Sequence, residues 1–353
     1  MLVLACVILG CFCACTDEKK NQKSYEEGLR LLEERKYEEA YEVFKSLGDY
    51  EDSAKILSRF VYVREKATIT DAYHVTTEQM YYNEDNLPIQ RIVTEDDGRK
   101  DIYEYTYYSD GNLKSEVLVR SILDGYSYFY KYDAHNNLIQ KTYIDYKGDE
   151  HVVKYVYDDD DRLVKEMSAS GRCVTYEYDK NGNMVKSTWY DSDGYVEQVW
   201  EYIYDVHGRL IQKMRDYALN FTYFEYSYDS CGNLIKEVEH AKGVTKKKTF
   251  YVYDEGSRLI KKYSKDLKGN LTALQEYAYD EQGRLISDPR YEYTYDENGN
   301  VVKTYYPDPY QPVGAECVYE LRLVYIPYDL SEMAEPTVTN LVDFLGNPFM
   351  EID

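Results

Sequence analysis

Apolar residues recur along this chain at two spacings, and the change between them marks its organisation. Between residues 24 and 60, Leu29, Leu32, Ala40, Val43, Phe44 and Leu47 fall at helical intervals; Gly48 and Asp49 break the pattern, and Ala54, Leu57 and Val61 resume it. That spacing predicts two or three short helices. Further on the interval becomes two. The pairs Tyr105/Tyr107, Tyr130/Tyr132, Tyr155/Tyr157, Tyr176/Tyr178, Tyr202/Tyr204, Tyr226/Tyr228, Tyr251/Tyr253, Tyr277/Tyr279 and Tyr293/Tyr295 recur mostly 24–26 residues apart. A spacing of two puts both rings of a pair on one face of a strand. Asp follows the pair in eight of nine units, Tyr108 replacing it in the first. Four residues after that slot comes Asn or Arg, then Leu, Met184 or Val301, and usually Ile or Val.

The residues between Asp and Leu specify a turn. Asp at the first position accepts hydrogen bonds from backbone N–H groups two residues on. Gly at the fourth supplies the positive φ of a type I turn with a bulge. Gly fills that slot in six units, and Asn136, Asp161 and Ser257 fill it in the others; Asn and Asp tolerate this conformation better than most residues. The Leu after the turn is expected to face the second Tyr across the hairpin. A second turn separates the units, at "EDDGR", "DYKGD", "SASGR", "DSDGY", "HAKGV" and "DLKGN". Each unit is therefore two strands, and nine units predict about eighteen strands in one antiparallel meander. "MYYNEDNL" at 80–87 reads as a degenerate earlier copy. Open sheets beyond about ten strands curl, so a curled or spiral sheet is expected. Its far face carries Val or Ile after each Leu, flanked by charged residues, so both faces are only half apolar.

This pattern resembles the YD repeat of the Rhs family, with its Tyr-Asp-x-x-Gly-Arg/Asn-Leu core, over about residues 80–305. The resemblance implies a mainly β fold of the kind found in YD-repeat shells. It does not carry over toxin encapsulation: "DPYQPVG" is a degraded echo of the Asp-Pro-x-Gly junction found before Rhs toxins, and only about forty residues follow it. Pro307, Pro309 and Pro312, in and just before that stretch, end the register, "ECVYELRLVYIP" reads as one more strand, and the last residues are expected to cover the final sheet edge. In the helical part, Gly28, Tyr37, Ala40 and Phe44 resemble the packing residues of a single tetratricopeptide repeat, too few for a peptide-binding array.

Residues 1–15, "MLVLACVILGCFCAC", are uninterrupted apolar and small residues followed by polar "TDEKKNQK". The run is too short for a transmembrane helix and suits the apolar part of a signal peptide. It resembles a bacterial lipoprotein signal, which would place the lipidated Cys at Cys15, with Cys11 as the alternative. The expected organisation is a lipoprotein-type signal at 1–15, a linker at 16–23, a tetratricopeptide-like helical segment at 24–66, the YD-repeat sheet at 67–306, and a strand and cap at 307–353.

Composition narrows the function. Tyr accounts for 44 residues and Phe for 9, which suits half-buried surfaces rather than a Leu-rich core. Net charge is −23, of which −21 lies in residues 67–353; that sign repels phosphates, so no nucleic-acid partner is expected. Cys173, Cys231 and Cys317 form neither a disulfide framework nor a metal motif. The five His are scattered, "DDDD" at 158–161 lacks a calcium-loop Glu, and no phosphate loop is present. No catalytic residue, metal or cofactor is expected. Both Trp fall in one stretch, and Trp189, Tyr190, Tyr195 and Trp200 are the candidate ligand platform, beside Asp191, Asp193 and Glu197. The expected function is a non-enzymatic, extracytoplasmic repeat protein, held to a membrane by its lipid, whose Tyr-rich sheet binds a glycan or protein ligand; a purely structural spacer is the alternative, and a hydrolase ranks third.

Overall fold

The computed structural model describes residues 2–71, 73–120, 125–217, 220–307 and 314–328, with side chains from residue 18 onward except at 120 and 220. Three helices come first: α1 (Leu2–Glu33), α2 (Tyr37–Leu47) and α3 (Ser53–Leu57). Their core is Leu31, Ala40, Phe44 and Ile56, closed by Tyr25, Leu32, Val43 and Leu47. Gly28 is small for a packing reason: a Cβ there would lie 2.8 Å from the Phe44 ring. Two expected boundaries move. The stretch 16–23, expected as a linker, is helical within α1, because "TDEKKNQK" holds several good helix formers and no Gly or Pro. Residues 60–66, expected within the helical segment, open the first strand, because alternating Val61 and Val63 find a partner strand at the far end of the chain. The side chains of Cys11 and Cys15 lie outside the described residues. Among the described residues no helix is long and apolar enough to cross a membrane.

The remainder is one antiparallel sheet of 23 strands. It opens with β1 (Phe60–Thr70), followed by the hairpins β2 (Val75–Tyr82) with β3 (Pro88–Thr94), β4 (Lys100–Tyr107) with β5 (Leu113–Arg120), and β6 (Ser127–Tyr132) with β7 (Leu138–Ile144). Next come β8 (Glu150–Tyr157) with β9 (Leu163–Ser168), β10 (Cys173–Tyr178) with β11 (Met184–Tyr190), and β12 (Val196–Tyr204) with β13 (Leu210–Tyr217). Then follow β14 (Asn220–Tyr228) with β15 (Leu234–Ala241), β16 (Val244–Tyr253) with β17 (Leu259–Lys265), and β18 (Leu271–Glu276). The last are β19 (Ala278–Tyr279) with β20 (Leu285–Ser287), β21 (Glu292–Tyr295) with β22 (Val301–Tyr306), and β23 (Ala315–Tyr325). The count exceeds eighteen because the degenerate copy at 80–87 makes its own hairpin, β1 and β23 flank the repeats, and Tyr277 interrupts one strand into β18 and β19.

The hairpin register follows the sequence. The second Tyr of each pair lies opposite the residue after the turn, as in Tyr157↔Leu163, Tyr178↔Met184 and Tyr295↔Val301, with a bulge just before it. The turn slots are left-handed as expected, Gly182 at φ 85° and its substitutes Asn136, Asp161 and Ser257 at 66°, 58° and 59°.

The sheet then closes. β23 pairs with β22 on one edge and with β1 on the other, from Phe60↔Tyr325 to Thr70↔Glu316, while β1 pairs with β2. With β18 and β19 taken as one interrupted strand the circuit holds 22, the even number an antiparallel circuit requires. Its thinnest link is the single pair Ser287↔Glu292 between β20 and β21. The final edge is therefore covered by β1; residues 329–353, expected as a cap, lie outside the described residues. The helices sit on this seam at its YD-turn end: Phe60 and Tyr325 pack against the helical core, and Asn86 donates to the Tyr37 hydroxyl and to the Tyr325 carbonyl. Among the described residues the buried apolar side chains form four small clusters, at the seam, in the helices and among the Tyr of the first and last units.

Candidate functional site

The Tyr side of the sheet carries most of the distinctive chemistry, and its local construction explains why the repeat is written with Tyr. Neighbouring hairpins stop pairing before they reach the YD turns. β9 and β10 pair only at residues 165–167 and 173–175, which leaves the Leu163 carbonyl facing a gap. The Tyr178 hydroxyl crosses the gap and donates to it at 2.7 Å. Tyr157 does the same to Leu138, Tyr204 to Met184, Tyr228 to Leu210 and Tyr253 to Leu234, at 2.7–3.0 Å. The second Tyr of a unit is thus a rung to the unit before it, a bond Phe cannot make.

The turn Asp and the Asn/Arg slot belong to the same assembly. Asp205 accepts from the N–H groups of His207 and Arg209, and its other oxygen accepts from the Arg209 guanidinium at 2.7 Å. Those bonds, led by the Arg209 N–H, pull its carboxyl down to about 2. The Arg209 guanidinium also lies 4.9 Å from the centre of the Tyr228 ring, the rung of the following unit. Arg162, Arg258 and Arg284 repeat both contacts, with Tyr178, Tyr279 and Tyr295. Where Asn stands instead, as at Asn183 and Asn233, its amide donates to its own turn Asp. The second Tyr, the turn Asp and the Asn/Arg slot are therefore each occupied by structural work.

A second row, set back from the turns, was not anticipated from the sequence. Residues opposite the first Tyr of a pair share the Tyr side: Glu116↔Tyr105, Lys141↔Tyr130, Glu166↔Tyr155, Ser187↔Tyr176, Lys213↔Tyr202, Glu237↔Tyr226 and Lys262↔Tyr251, preceded by Arg91, which lies opposite Met80 of the degenerate copy and Tyr103 of the next strand. Passed in that order, cation and carboxylate alternate until Ser187. The charges interact through or across rings: Arg91 lies 4.1 Å from the Tyr103 ring centre and 3.9 Å from the Glu116 carboxylate, and Lys141 lies 4.7 Å from the centre of Tyr128. Burial pushes the neighbouring Tyr155, Tyr176 and Tyr251 up to about 12. The bulge skips one residue, so these charges stand three positions after the Leu rather than two; only that offset, counted through the bulge, could have revealed the row.

The four platform residues are partly brought together. Ser187↔Trp200 and Trp189↔Gln198 are cross-strand pairs, so both Trp lie on the Tyr side as diagonal neighbours. Trp189 is 46% exposed. Trp200 is half-buried and stacks on Tyr202 and Phe224, with centroids 6.4 and 6.5 Å apart. Tyr190, one residue beyond Trp189, points to the other side, opposite Cys173. Tyr195 is 72% exposed in the turn, where its N–H donates to Asp191. Two of the three adjacent acids are already engaged: Asp191 holds the turn through the N–H groups of Asp193 and Tyr195, and Glu197 pairs with Arg172 at 3.1 Å. Among the described residues no group of three metal-binding side chains occurs. The far side carries the expected aliphatics after Leu, with Ile139, Ile211, Ile235, Ile260 and Ile286 all partly exposed. Cys231 is exposed in its turn.

Residues 129–274 match the family model described as Teneurin YD-shell, so this part of the sheet is a run of YD repeats. No curated protein matches the chain. Among solved structures it is similar to a Photorhabdus luminescens Tc holotoxin pore carrying the mutation TccC3-D651A, at 14% identity and a TM-score of 0.44, covering 70% of this chain and 15% of that one. It is also similar to a porin-like protein from Bacteroides uniformis, at 10% identity and a TM-score of 0.30, covering 73% of this chain and 98% of that one.

Proposed function

We propose that this YD-repeat chain is a non-enzymatic, extracytoplasmic, lipid-anchored protein whose closed sheet is a scaffold for one ligand-binding stretch, and that the ligand is a carbohydrate. The observation that carries this reading is the local departure from the repeat around Trp189 and Trp200. From Tyr105 to Tyr251 the other residues opposite the first Tyr are charged; here Ser187 stands instead, and the chain's two Trp stand beside it on the same side, whereas the other uncharged partner, Thr304 opposite Tyr293, has no Trp near it in sequence. Flat apolar rings at a half-exposed position suit the apolar face of a sugar. The repeated acids are bonded within their own turns, which leaves them poorly placed for acid–base chemistry and supports a non-catalytic role.

The test is a glycan screen with the full chain, read by quenching of Trp fluorescence. Quenching that is lost in Trp189→Ala, with an unchanged denaturation midpoint, supports binding. A silent screen, with Trp189→Ala indistinguishable from the parent, supports the spacer reading instead, which the structural use of the second Tyr, the turn Asp and the Asn/Arg slot favours. Anchoring is tested separately by mass spectrometry of the membrane fraction: an acylated N-terminal Cys15 supports it, and a soluble product retaining residues 1–14 overturns it.

A further inference from the structure

The site around the two Trp is cationic within an acidic protein. Lys213 and Arg215 stand two apart on β13, both on the Tyr side, opposite Tyr202 and Trp200. Each lies 5.5 Å from the centre of the Trp200 ring, and Lys213 is also 4.7 Å from that of Phe224. Within the row Lys141 has a carboxylate on both sides, Glu116 and Glu166. Lys213 has Glu237 on one side and Ser187 on the other, so the alternation slips by one step here. Among the described residues neither Lys213 nor Arg215 makes an ion pair within 4.0 Å, and the Arg215 Nε is buried without a hydrogen-bond partner. Arg64 and Arg91 have a similarly buried Nε, but each reaches a carboxylate through its other nitrogens.

Resting on the carbohydrate reading above, we infer that the ligand is an acidic saccharide, a sugar ring bearing a carboxylate. Trp189 supplies the exposed ring for the apolar face of the sugar. Trp200, a diagonal neighbour at roughly 7–8 Å, holds the two cations at the edge of the same area. The guanidinium fork of Arg215 matches a carboxylate in geometry, and Lys213 adds a point charge beside it. Two of the nearby acids, Asp191 and Glu197, are committed to the turn and to Arg172, and Lys213 and Arg215 are the cations that stand against the Trp200 ring itself. The overall charge of −23 does not forbid this, because charges beyond about 8 Å are largely screened at physiological ionic strength.

The experiment compares an oligomer of α-1,4-linked galacturonic acid with its carboxyl-reduced counterpart, a neutral galactan of the same length, by Trp fluorescence and titration calorimetry on the full chain. The acidic oligomer is expected to bind about tenfold more tightly, the weight of one charge-assisted hydrogen bond. Lys213→Gln combined with Arg215→Gln removes that preference while the neutral affinity stays as it was. Lys213→Met, which keeps the stem against Trp200 and Phe224, gives an intermediate preference and guards against a packing defect in the double variant. Equal affinity for the two oligomers, or an undiminished preference in a folded double variant, overturns the acidic inference and leaves the carbohydrate reading standing. Silence with both oligomers and with a panel of neutral glycans overturns both.

Discussion

At the scale of single residues, the hydroxyl separates Tyr from Phe in this protein. Tyr178→Phe leaves the Leu163 carbonyl without its donor, and the expected loss is about 1–2 kcal/mol. Tyr176→Phe, in the same unit, removes no such rung and is expected to cost less than half as much; chemical denaturation of the two variants makes the comparison, and equal losses would remove the rung from the account. The same residues set an alkaline limit. Tyr155, Tyr176 and Tyr251 are held up to about 12 by burial, against about 10 in an unfolded chain. Between those values the folded state binds more protons, so stability is complete below about pH 10 and falls as pH rises toward 12. Tyrosinate absorbance followed beside far-ultraviolet circular dichroism is expected to show ionisation and unfolding together; ionisation that runs to completion while the sheet persists would contradict this. The Tyr excess was legible in the sequence as a sign of half-buried surfaces. Its reason was not, because the acceptor of each hydroxyl is a backbone carbonyl in another unit, and a carbonyl leaves no trace in the choice of side chain.

At the scale of elements, the hairpin was the most legible part of the molecule. Turn, bulge and the Tyr–Leu pairing all follow from residues within ten positions of one another. Gly182 sits at φ 85° with nothing within 4 Å of the place a Cβ would take, so substitution there probes backbone strain without a clash. Gly182→Val is expected to cost more than about 1 kcal/mol, and Gly182→Asn about half as much, since Asn136 already occupies the equivalent slot at φ 66°. Denaturation midpoints that do not move in either variant would refute the turn assignment. The helical segment was legible through Gly28, Ala40 and Phe44, which meet in one core. Its two ends were not. Helix propensity carries α1 through residues expected as a linker, and pairing with a strand some 250 residues away, visible in no local pattern, turns 60–66 from helix to β1. The candidate site shows the same division: the two Trp could be picked out by eye, while their shared side and the cations beside them depend on a bulge that shifts the alternation by one.

At the scale of the whole molecule, closure of the sheet is the property no repeat unit encodes. The seam pairs β1 with β23 over most of their length, and Val63, Val324 and Ile326 are buried beside it with Leu87. A chain lacking residues 315–328 is expected to expose the edges of β1 and β22 and to self-associate; sedimentation at increasing concentration should show a monomer for the parent and larger species for the shortened chain, and a shortened chain that stays monomeric would argue against the seam. Closure also orders events in time. Each hairpin can form as soon as its own two strands have been made, but β1, among the first strands to emerge from the ribosome, has one side with no mate until β23 has been synthesised. For that whole interval the growing chain carries an unsatisfied strand edge, next to a helical segment that is already complete and rests on the same residues, Phe60 and later Tyr325. The helices are thus in place to shelter the waiting strand at one end while the twenty-one strands between are laid down, and to receive the last one when it arrives.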